Sequence, residues 1–251
     1  MRHEAAFGDR IVSTFEGRPG SVWSMFAAAA LRTPQAEAVV CETQRLSYAD
    51  CESAAATVAA GFAAQGVQPG DRVVLFIDNR PEFVLAFLAL QRLGAIAVPV
   101  GVREQRPGLA WIAQQCGAVA VVADAALVDR LPLASEAPDL RLRISVGDAT
   151  SAPGCLSWAT LAACTDAPPP GATPAEHAVA VILYTSGTTG HPKGAMLTHS
   201  NIVHSVLHYQ ACMRLGSSGL GERAALAVPA SHVTGLVAII ATMLHLGGAI
   251  V

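Results

Sequence analysis

Residues 178–194 read AVAVILYTSGTTGHPKG, an apolar run followed by a loop that is rich in glycine and hydroxyl side chains. The apolar part, residues 178–183, predicts a buried strand because its side chains are β-branched or aliphatic. The loop, residues 184–194, contains three glycines, four Ser or Thr side chains and one lysine. Glycines let a backbone turn tightly and bring its N–H groups together, which creates a concave site for anions. The stretch therefore predicts a strand that leads directly into a phosphate-binding loop.

Several side chains of this loop have the chemistry that phosphate recognition requires. Hydroxyl groups donate hydrogen bonds to phosphate oxygens, and a lysine supplies a compact positive charge. The predicted phosphate-binding residues are Thr185, Ser186, Gly187, Thr188, Thr189, Gly190 and Lys193. The loop is not a Walker A motif, because the preceding glycine lies three positions before Lys193 and Gly194 stands where Ser or Thr is needed. A flexible surface loop without a ligand is the alternative.

Outside this loop, short β-branched runs alternate with Ala- and Leu-rich stretches of helical spacing. The predicted strands are residues 38–41, 45–48, 71–77, 95–100, 118–123, 178–183 and 224–228, and the first two form a hairpin. The predicted helices are residues 22–31, 49–64, 81–93, 108–116 and 233–246, and a further helix begins near Thr198. Ser21 and Pro81 are residues typical of helix starts. The alternation indicates an α/β fold of mostly parallel sheets covered by helices.

A change of composition suggests where the chain divides. Residues 147–177 are rich in Pro, Ala, Gly, Ser and Thr, which is typical of a surface connection. We therefore predict a first α/β subdomain over residues 1–170, with the linker at its end. A second α/β subdomain, incomplete and carrying the phosphate-binding loop, is predicted over residues 171–251.

The composition argues against several classes of protein. Only 14% of the residues are charged and the net charge is −3, which gives no reason to expect a nucleic-acid partner. The longest uninterrupted apolar run in the uncharged window 224–251 is residues 236–246, shorter than the roughly 20 residues that span a membrane. The N-terminus lacks the apolar segment of a secretory signal. We predict a cytoplasmic protein without a transmembrane segment, whose six cysteines are reduced core thiols.

The loop sequence resembles that of the adenylate-forming acyl-activating enzymes. This family includes acyl- and aryl-CoA ligases, adenylation domains of nonribosomal peptide synthetases and beetle luciferases. Its signature, Tyr-Thr-Ser-Gly-Thr-Thr-Gly-x-Pro-Lys-Gly, is matched by residues 184–194 at every specified position. Thr198, His199 and Asn201 match the continuation of the signature. The resemblance implies the partial N-terminal domain of an adenylate-forming enzyme.

The resemblance also implies a reaction in two stages. A small-molecule carboxylic acid attacks the α-phosphorus of Mg²⁺-bound ATP, which gives an acyl-adenylate and pyrophosphate. A thiol, usually that of coenzyme A, then attacks the acyl-adenylate. By this resemblance Lys193 is a catalytic residue that stabilises the charge developing on the pyrophosphate. The expected cofactors are ATP, Mg²⁺ and coenzyme A, and no metal site formed by protein side chains is expected.

A second segment bears on the substrate. Residues 229–235 read PASHVTG and resemble the family motif Pro-Leu-Phe-His-x-x-Gly. By this resemblance His232 and Gly235 belong to the substrate pocket. Amino-acid-activating members commonly have an aspartate in place of this histidine, so His232 favours a fatty or aryl acid. A histidine at a helix start, satisfied by backbone groups, is the alternative. His204 and His208 are spaced like metal ligands, but we interpret them as packing or surface histidines.

Other parts of the family are absent from the sequence. There is no Tyr-Gly-x-Thr-Glu motif, no Thr-Gly-Asp ribose-binding motif and no small C-terminal domain with its lysine. The last residues, 247–251, are apolar and are typical of a strand cut from its sheet. We expect that a missing C-terminal domain is needed for activity and that these 251 residues alone are inactive. A truncated, non-catalytic nucleotide-binding remnant or interaction module is the alternative function.

Overall fold

Strands and helices alternate along most of the chain. The computed structural model describes residues 2–6, 8, 10–147, 154–185, 191–216 and 221–251. The strands are β1 (Arg2–Ala6), β2 (Arg10–Thr14), β3 (Glu37–Cys41), β4 (Gln44–Ser47), β5 (Arg72–Phe76), β6 (Ile96–Pro99), β7 (Ala118–Asp124), β8 (Leu142–Val146), β9 (Leu156–Ser157), β10 (Val179–Thr185), β11 (Lys193–Thr198), β12 (Arg223–Ala224) and β13 (Ala249–Ile250). The α-helices are α1 (Val22–Arg32), α2 (Tyr48–Ala64), α3 (Pro81–Leu93), α4 (Arg106–Cys116), α5 (Trp158–Ala162), α6 (His199–Met213) and α7 (Thr242–Leu246). A 3₁₀ helix covers Ala125–Arg130 and a π-helix covers Thr234–Ala241.

The described strands form three sheets. The largest has the order β11-β10-β6-β5-β7-β8-β9, and every neighbouring pair is parallel except β10 and β11. The second has the order β12-β13-β3-β4, with β3 and β4 antiparallel. The third is the hairpin of β1 and β2. This arrangement confirms the predicted α/β class with mostly parallel sheets.

Helix α3 lies between the two larger sheets. Eleven of its thirteen residues are buried, and it contacts β5 and β6 on one side and β3 on the other. A helix that is apolar around its whole circumference is stable only when it is surrounded by protein. Pro81 starts the helix at its first position and Gly94 ends it with φ 78°, as expected for these two residues. Helix α3 is therefore the centre of the core.

Side-chain caps fix the starts of three other helices. Ser21 caps α1, Ser47 caps α2 and Thr198 caps α6, and each accepts a hydrogen bond from the backbone N–H three residues further on. In each helix that third residue also bonds back to the cap, which satisfies two backbone donors at once. The predicted helix start near Thr198 is thereby confirmed, as is the start of the first predicted helix.

Several local predictions were wrong or incomplete, and strands β1, β2, β8 and β9 and helix α5 were not predicted. Strand β11 follows the loop, although no strand was predicted there, and β12 is only two residues long instead of covering 224–228. The single helix predicted over 233–246 is a π-helix followed by α7. The hydroxyl of Thr242 donates to the carbonyl of Val237, five residues back, at 3.0 Å. This hydrogen bond lies at the junction between the π-helix and helix α7.

Both larger sheets combine strands from the two sides of the predicted subdomain boundary. In the seven-stranded sheet β10 lies beside β6 and β11 beside β10, and in the four-stranded sheet β13 lies beside β3. The boundary at 170/171 therefore does not coincide with a gap between sheets. The division of the chain into 1–170 and 171–251 stays a prediction.

The cysteines are unpaired, and their burial varies. Cys51 is buried in α2, whereas Cys212 is exposed on α6 and the other four are partly exposed. The prediction of core thiols therefore holds for Cys51 but is wrong for Cys212. Within the described residues, no helix combines the length and the apolar character that crossing a membrane requires.

His199 connects the region after the loop to the start of α1. Its side chain is 3% exposed, and its Nδ1 accepts a hydrogen bond from the backbone N–H of Val22 at 3.3 Å. Burial disfavours the charged imidazolium and lowers the pKa of His199 from 6.5 to about 4. The folded protein therefore holds this ring neutral at a pH where the unfolded chain binds a proton.

We expect the stability of the protein to fall as the pH decreases from about 6.5 towards 4, because the unfolded state takes up the proton on His199 first. Between about pH 7 and about pH 5, His199 alone should account for a loss of about 2 kcal/mol of unfolding free energy. Urea denaturation at both pH values measures it. His199→Asn keeps an acceptor for Val22 and cannot be protonated, so it should reduce the pH dependence. His3→Asn, at an exposed position, should leave the pH dependence unchanged. If the unfolding free energy changed equally with pH in the two variants, this account would be contradicted.

Candidate functional site

The predicted phosphate-binding loop connects two antiparallel strands. Tyr184 pairs with Gly194 and Thr185 pairs with Lys193 in the ladder of β10 and β11. The two ends of the loop are therefore held at the spacing of a strand pair. Residues 186–190 lie outside the described residues, so the phosphate contacts predicted for them stay predictions; these are Ser186, Gly187, Thr188, Thr189 and Gly190.

Lys193 is the only lysine in the chain; the other cationic side chains of the sixteen are arginines. It is exposed at the first position of β11, directly across from Thr185. Among the residues that the structure describes, it forms no ion pair. An unpaired ammonium group beside a hydroxyl is suited to an anionic ligand.

A cleft of about 780 Å³ opens beside the base of the loop. It lies at the carboxyl ends of the parallel strands β5, β6 and β10, the end at which α/β sheets usually bind ligands. Thr185 and Pro192 line it from the loop side. Pro229, Ser231 and His232 also line it. The structure thus brings Thr185 and His232, two of the residues predicted from sequence, to one cleft.

His232 lies exposed on the wall of this cleft. Its backbone N–H donates to the carbonyl of Pro229 at 3.0 Å, and its carbonyl accepts from the N–H of Leu236 at 2.8 Å. The imidazole ring itself has no hydrogen-bond partner among the described residues. The described residues therefore do not show the alternative raised above, in which backbone groups satisfy the ring.

Gly235 lies behind the wall and does not line the cleft. It is buried, and a Cβ atom at this position would come within 2.3 Å of the carbonyl oxygen of Pro229. The chain before His232 therefore turns back directly over Gly235, where only glycine leaves enough space. Its location supports a role in shaping the wall, and direct contact with a substrate stays a prediction.

Asn79, which follows β5, was missed in the sequence and lines the cleft. Its Nδ2 donates to the carbonyls of Leu226 and Val228, each at 2.9 Å, and its Oδ1 accepts from the N–H of Ala230 at 2.7 Å. These bonds connect the end of β5 to the segment that leads to His232. The only available signal was its position just after an apolar parallel strand, where site residues are frequent.

Helix α4 contacts the loop near both of its ends. The ring of Trp111 stacks on His191 with centroids 4.1 Å apart, and its Nε1–H donates to the carbonyl of Pro192 at 3.3 Å. The hydroxyl of Tyr184 donates to Gln115 of the same helix. Helix α4 therefore fixes the segment that immediately precedes Lys193.

The resemblance predicts that the loop binds Mg²⁺·ATP. We expect Trp111→Ala to weaken this predicted binding about tenfold, because both the ring stack and the hydrogen bond that hold residues 191–192 are lost. Trp111→Phe keeps an aromatic ring but not the donor and should have a smaller effect. Titration calorimetry measures both. The matched control is Gln114→Ala, an exposed position on the same helix. If Trp111→Ala bound ATP as tightly as this control, the contact would have no part in positioning the loop.

A second cleft, of about 880 Å³, lies between the turn that joins β3 to β4 and the ends of β5, β7 and β8. Its central cation, Arg80, donates to Glu82 at 2.8 Å and to Asp124 at 2.9 Å. These carboxylates neutralise the guanidinium, so it is poorly suited to a phosphate. None of the phosphate-binding or substrate-pocket residues predicted from the sequence lines this cleft.

The fold and the loop define the class of protein, and comparison with known families agrees. A model of the AMP-binding enzyme family matches residues 26–251. The chain therefore belongs to the AMP-binding enzymes, which confirms the resemblance found in the sequence.

In the part of the chain that the structure describes, no group of three or more His, Cys, Asp or Glu side chains could hold a metal ion.

Individual relatives include two kinds of enzyme. The chain is 36% identical over 197 residues to the isonitrile lipopeptide synthase of Mycobacterium tuberculosis, covering 78% of this chain and 7% of that protein. It is 31% identical over 219 residues to the feruloyl-CoA synthase of an Amycolatopsis species, covering 87% of this chain and 41% of that enzyme. The apo structure of Mycobacterium smegmatis MbtA superposes with a TM-score of 0.84 at 30% identity, over 93% of this chain and 44% of that one. The chain thus spans less than half the length of these relatives.

Proposed function

We propose that the protein activates a carboxylic acid with ATP to an acyl-adenylate and then transfers the acyl group to coenzyme A. The observation that carries the proposal is the strand pair that sets Lys193 across from Thr185, beside a cleft that Thr185 and His232 both line. It is supported further by membership of the AMP-binding enzymes.

The chemistry follows from the charge that develops during adenylation. When the carboxylate oxygen attacks the α-phosphorus, the bond to the β-phosphate oxygen breaks and negative charge builds up on the leaving pyrophosphate. Lys193 and the hydroxyl of Thr185 can stabilise that charge. Mg²⁺ bound to ATP supplies further charge neutralisation. We expect Mg²⁺ to arrive bound to ATP.

For the acid we propose a fatty or aryl carboxylic acid. His232 stands on the cleft wall where the family's amino-acid-activating members commonly have an aspartate for the substrate amine, and apolar residues such as Ile77, Val100 and Ile112 line the same cleft. The similarity to a feruloyl-CoA synthase is consistent with this class. The similarity to an isonitrile lipopeptide synthase makes a carrier-protein thiol the competing acceptor. We propose the cytoplasm as the location, where ATP and coenzyme A are present.

Acid-dependent exchange of labelled pyrophosphate into ATP tests the proposal. The protein encoded by the complete gene is assayed with a panel of fatty, aryl and amino acids. We expect exchange with fatty or aryl acids and none with amino acids. Exchange with amino acids alone would overturn the substrate class. Binding of ATP without exchange for any acid would overturn the enzymatic proposal and favour a non-catalytic nucleotide-binding protein.

The acceptor is tested separately, once an accepted acid is known. The enzyme is supplied with ATP, that acid and either coenzyme A or a carrier protein bearing a pantetheine thiol. We expect the acyl-CoA thioester to form in the first reaction. Formation of the acylated carrier alone would show that adenylation is right and that the proposed acceptor is wrong.

A further inference from the structure

The segment before His232 has little sheet pairing of its own. Strand β12 ends at Ala224, and beyond it the N–H of Leu226 donates to the carbonyl of Val251 at 2.8 Å. The carbonyls of Leu226 and Val228 receive their hydrogen bonds from the side chain of Asn79. Leu226 and Val228 are partly exposed, and their carbonyls accept from this side chain as they would from a neighbouring strand.

The three hydrogen bonds use both N–H donors and the acceptor oxygen of the amide group of Asn79. Two N–H groups point to one side of the amide and meet two carbonyls, while the oxygen meets the N–H of Ala230. No other uncharged side chain of this size offers two donors and one acceptor in that geometry. Ala230 is buried and lies two residues before His232. The position of His232 on the cleft wall is thus tied to the end of β5.

We propose that Asn79 is a positioning residue that holds residues 226–230 in place and thereby sets where His232 meets the acid. Asn79 acts through the segment and not on the reacting atoms. The effect on the acid rests on the proposed function, whereas the effect on the segment does not. The two parts can therefore be tested one by one.

The first test measures amide hydrogen exchange by mass spectrometry in the wild type and in Asn79→Asp. The carboxylate keeps the acceptor but replaces the two donors by an oxygen that repels the carbonyls of Leu226 and Val228. We expect exchange in the peptide covering residues 224–236 to become about tenfold faster. Unchanged exchange there, or faster exchange across the whole chain, would overturn the proposal, because Asn79 would then hold nothing or merely stabilise the fold.

The chain offers a matched control in its one other asparagine, Asn201. Its Oδ1 accepts from the N–H of Thr198 at 3.1 Å in the cap of α6, and no bond is donated by its Nδ2 to a described residue. Asn201→Asp makes the same chemical change but keeps an acceptor for the N–H of Thr198. A carboxylate is also favourable at a helix start. We expect normal exchange over residues 224–236 in this variant.

The second test uses the acid that supports pyrophosphate exchange in the wild type. We expect Asn79→Asp to raise the KM for the acid about tenfold while the KM for ATP changes less than about twofold. A double-mutant cycle with His232→Ala should be non-additive, because both substitutions act on one contact. Equal changes in both KM values, or additive effects, would overturn the positioning role. Absence of exchange in the wild type would instead refute the proposed function, with the hydrogen-exchange result still standing.

Discussion

Replacing Lys193 with alanine is expected to lower the rate of acid-dependent pyrophosphate exchange by about 100- to 1,000-fold, the effect typical of removing one group that stabilises transition-state charge. Lys193 is the only lysine in the chain, and the other cationic side chains are arginines. The loss should appear mainly in kcat, since the charge on the pyrophosphate develops during the reaction.

Two further variants sharpen this prediction. Lys193→Arg keeps the positive charge in a larger, planar group, so it should retain part of the activity. Arg10→Ala removes another exposed cation, on β2, and should leave the exchange rate unchanged. An exchange rate in Lys193→Ala equal to that of Arg10→Ala would remove the role that we assign to this lysine.

The second large effect is expected for Gly235→Ala. Helix propensity alone predicts a gain of about 0.5–1 kcal/mol in stability, because alanine favours helices over glycine. The added Cβ, however, would lie 2.3 Å from the carbonyl oxygen of Pro229, which is backbone and cannot rotate away. Relieving such an overlap typically lowers the free energy of unfolding by about 1–3 kcal/mol. Helix propensity and the steric overlap therefore predict opposite changes in stability.

Chemical denaturation measures whether the free energy of unfolding rises or falls. Gly20→Ala is the control, because a Cβ there meets no atom within 4 Å and its φ is not positive. We expect Gly235→Ala to be less stable than the wild type and Gly20→Ala to be as stable. In the proposed reaction, Gly235→Ala should also raise the KM for the acid, since the segment that carries His232 must shift. A more stable Gly235→Ala variant with normal KM values would show that the close approach is absent.

Much of the fold could be predicted because its signals are local. Ser21, Thr198 and Pro81 mark helix starts through bonds and φ values that involve only the next few residues. Buried parallel strands such as β5 and β7 are short apolar runs that stand out in any window. Strand β11 was missed because it lies at the edge of its sheet and its side chains are largely exposed, with Met196 67% exposed.

The missing parts of the site depend on partners that are distant in the sequence. Asn79 bonds to residues about 150 positions away, with separations of 147, 149 and 151. Trp111 bonds to Pro192, 81 positions away. Nothing near either residue indicates these contacts. The loop itself could be predicted because its chemistry is contained in eleven consecutive residues, 184–194, although its central five lie outside the described residues.

The central claim is that Lys193 contacts the phosphates of ATP, and the rate of its chemical acetylation tests this without any assay of activity. Mass spectrometry follows acetylation of the peptide that contains Lys193 in the protein encoded by the complete gene, with and without Mg²⁺·ATP. A free lysine peptide in the same tube reports the reagent concentration. At an ATP concentration about ten times the Kd, we predict that acetylation of Lys193 slows about tenfold while the reference peptide is unaffected. Acetylation of Lys193 at the same rate with and without ATP would contradict the account.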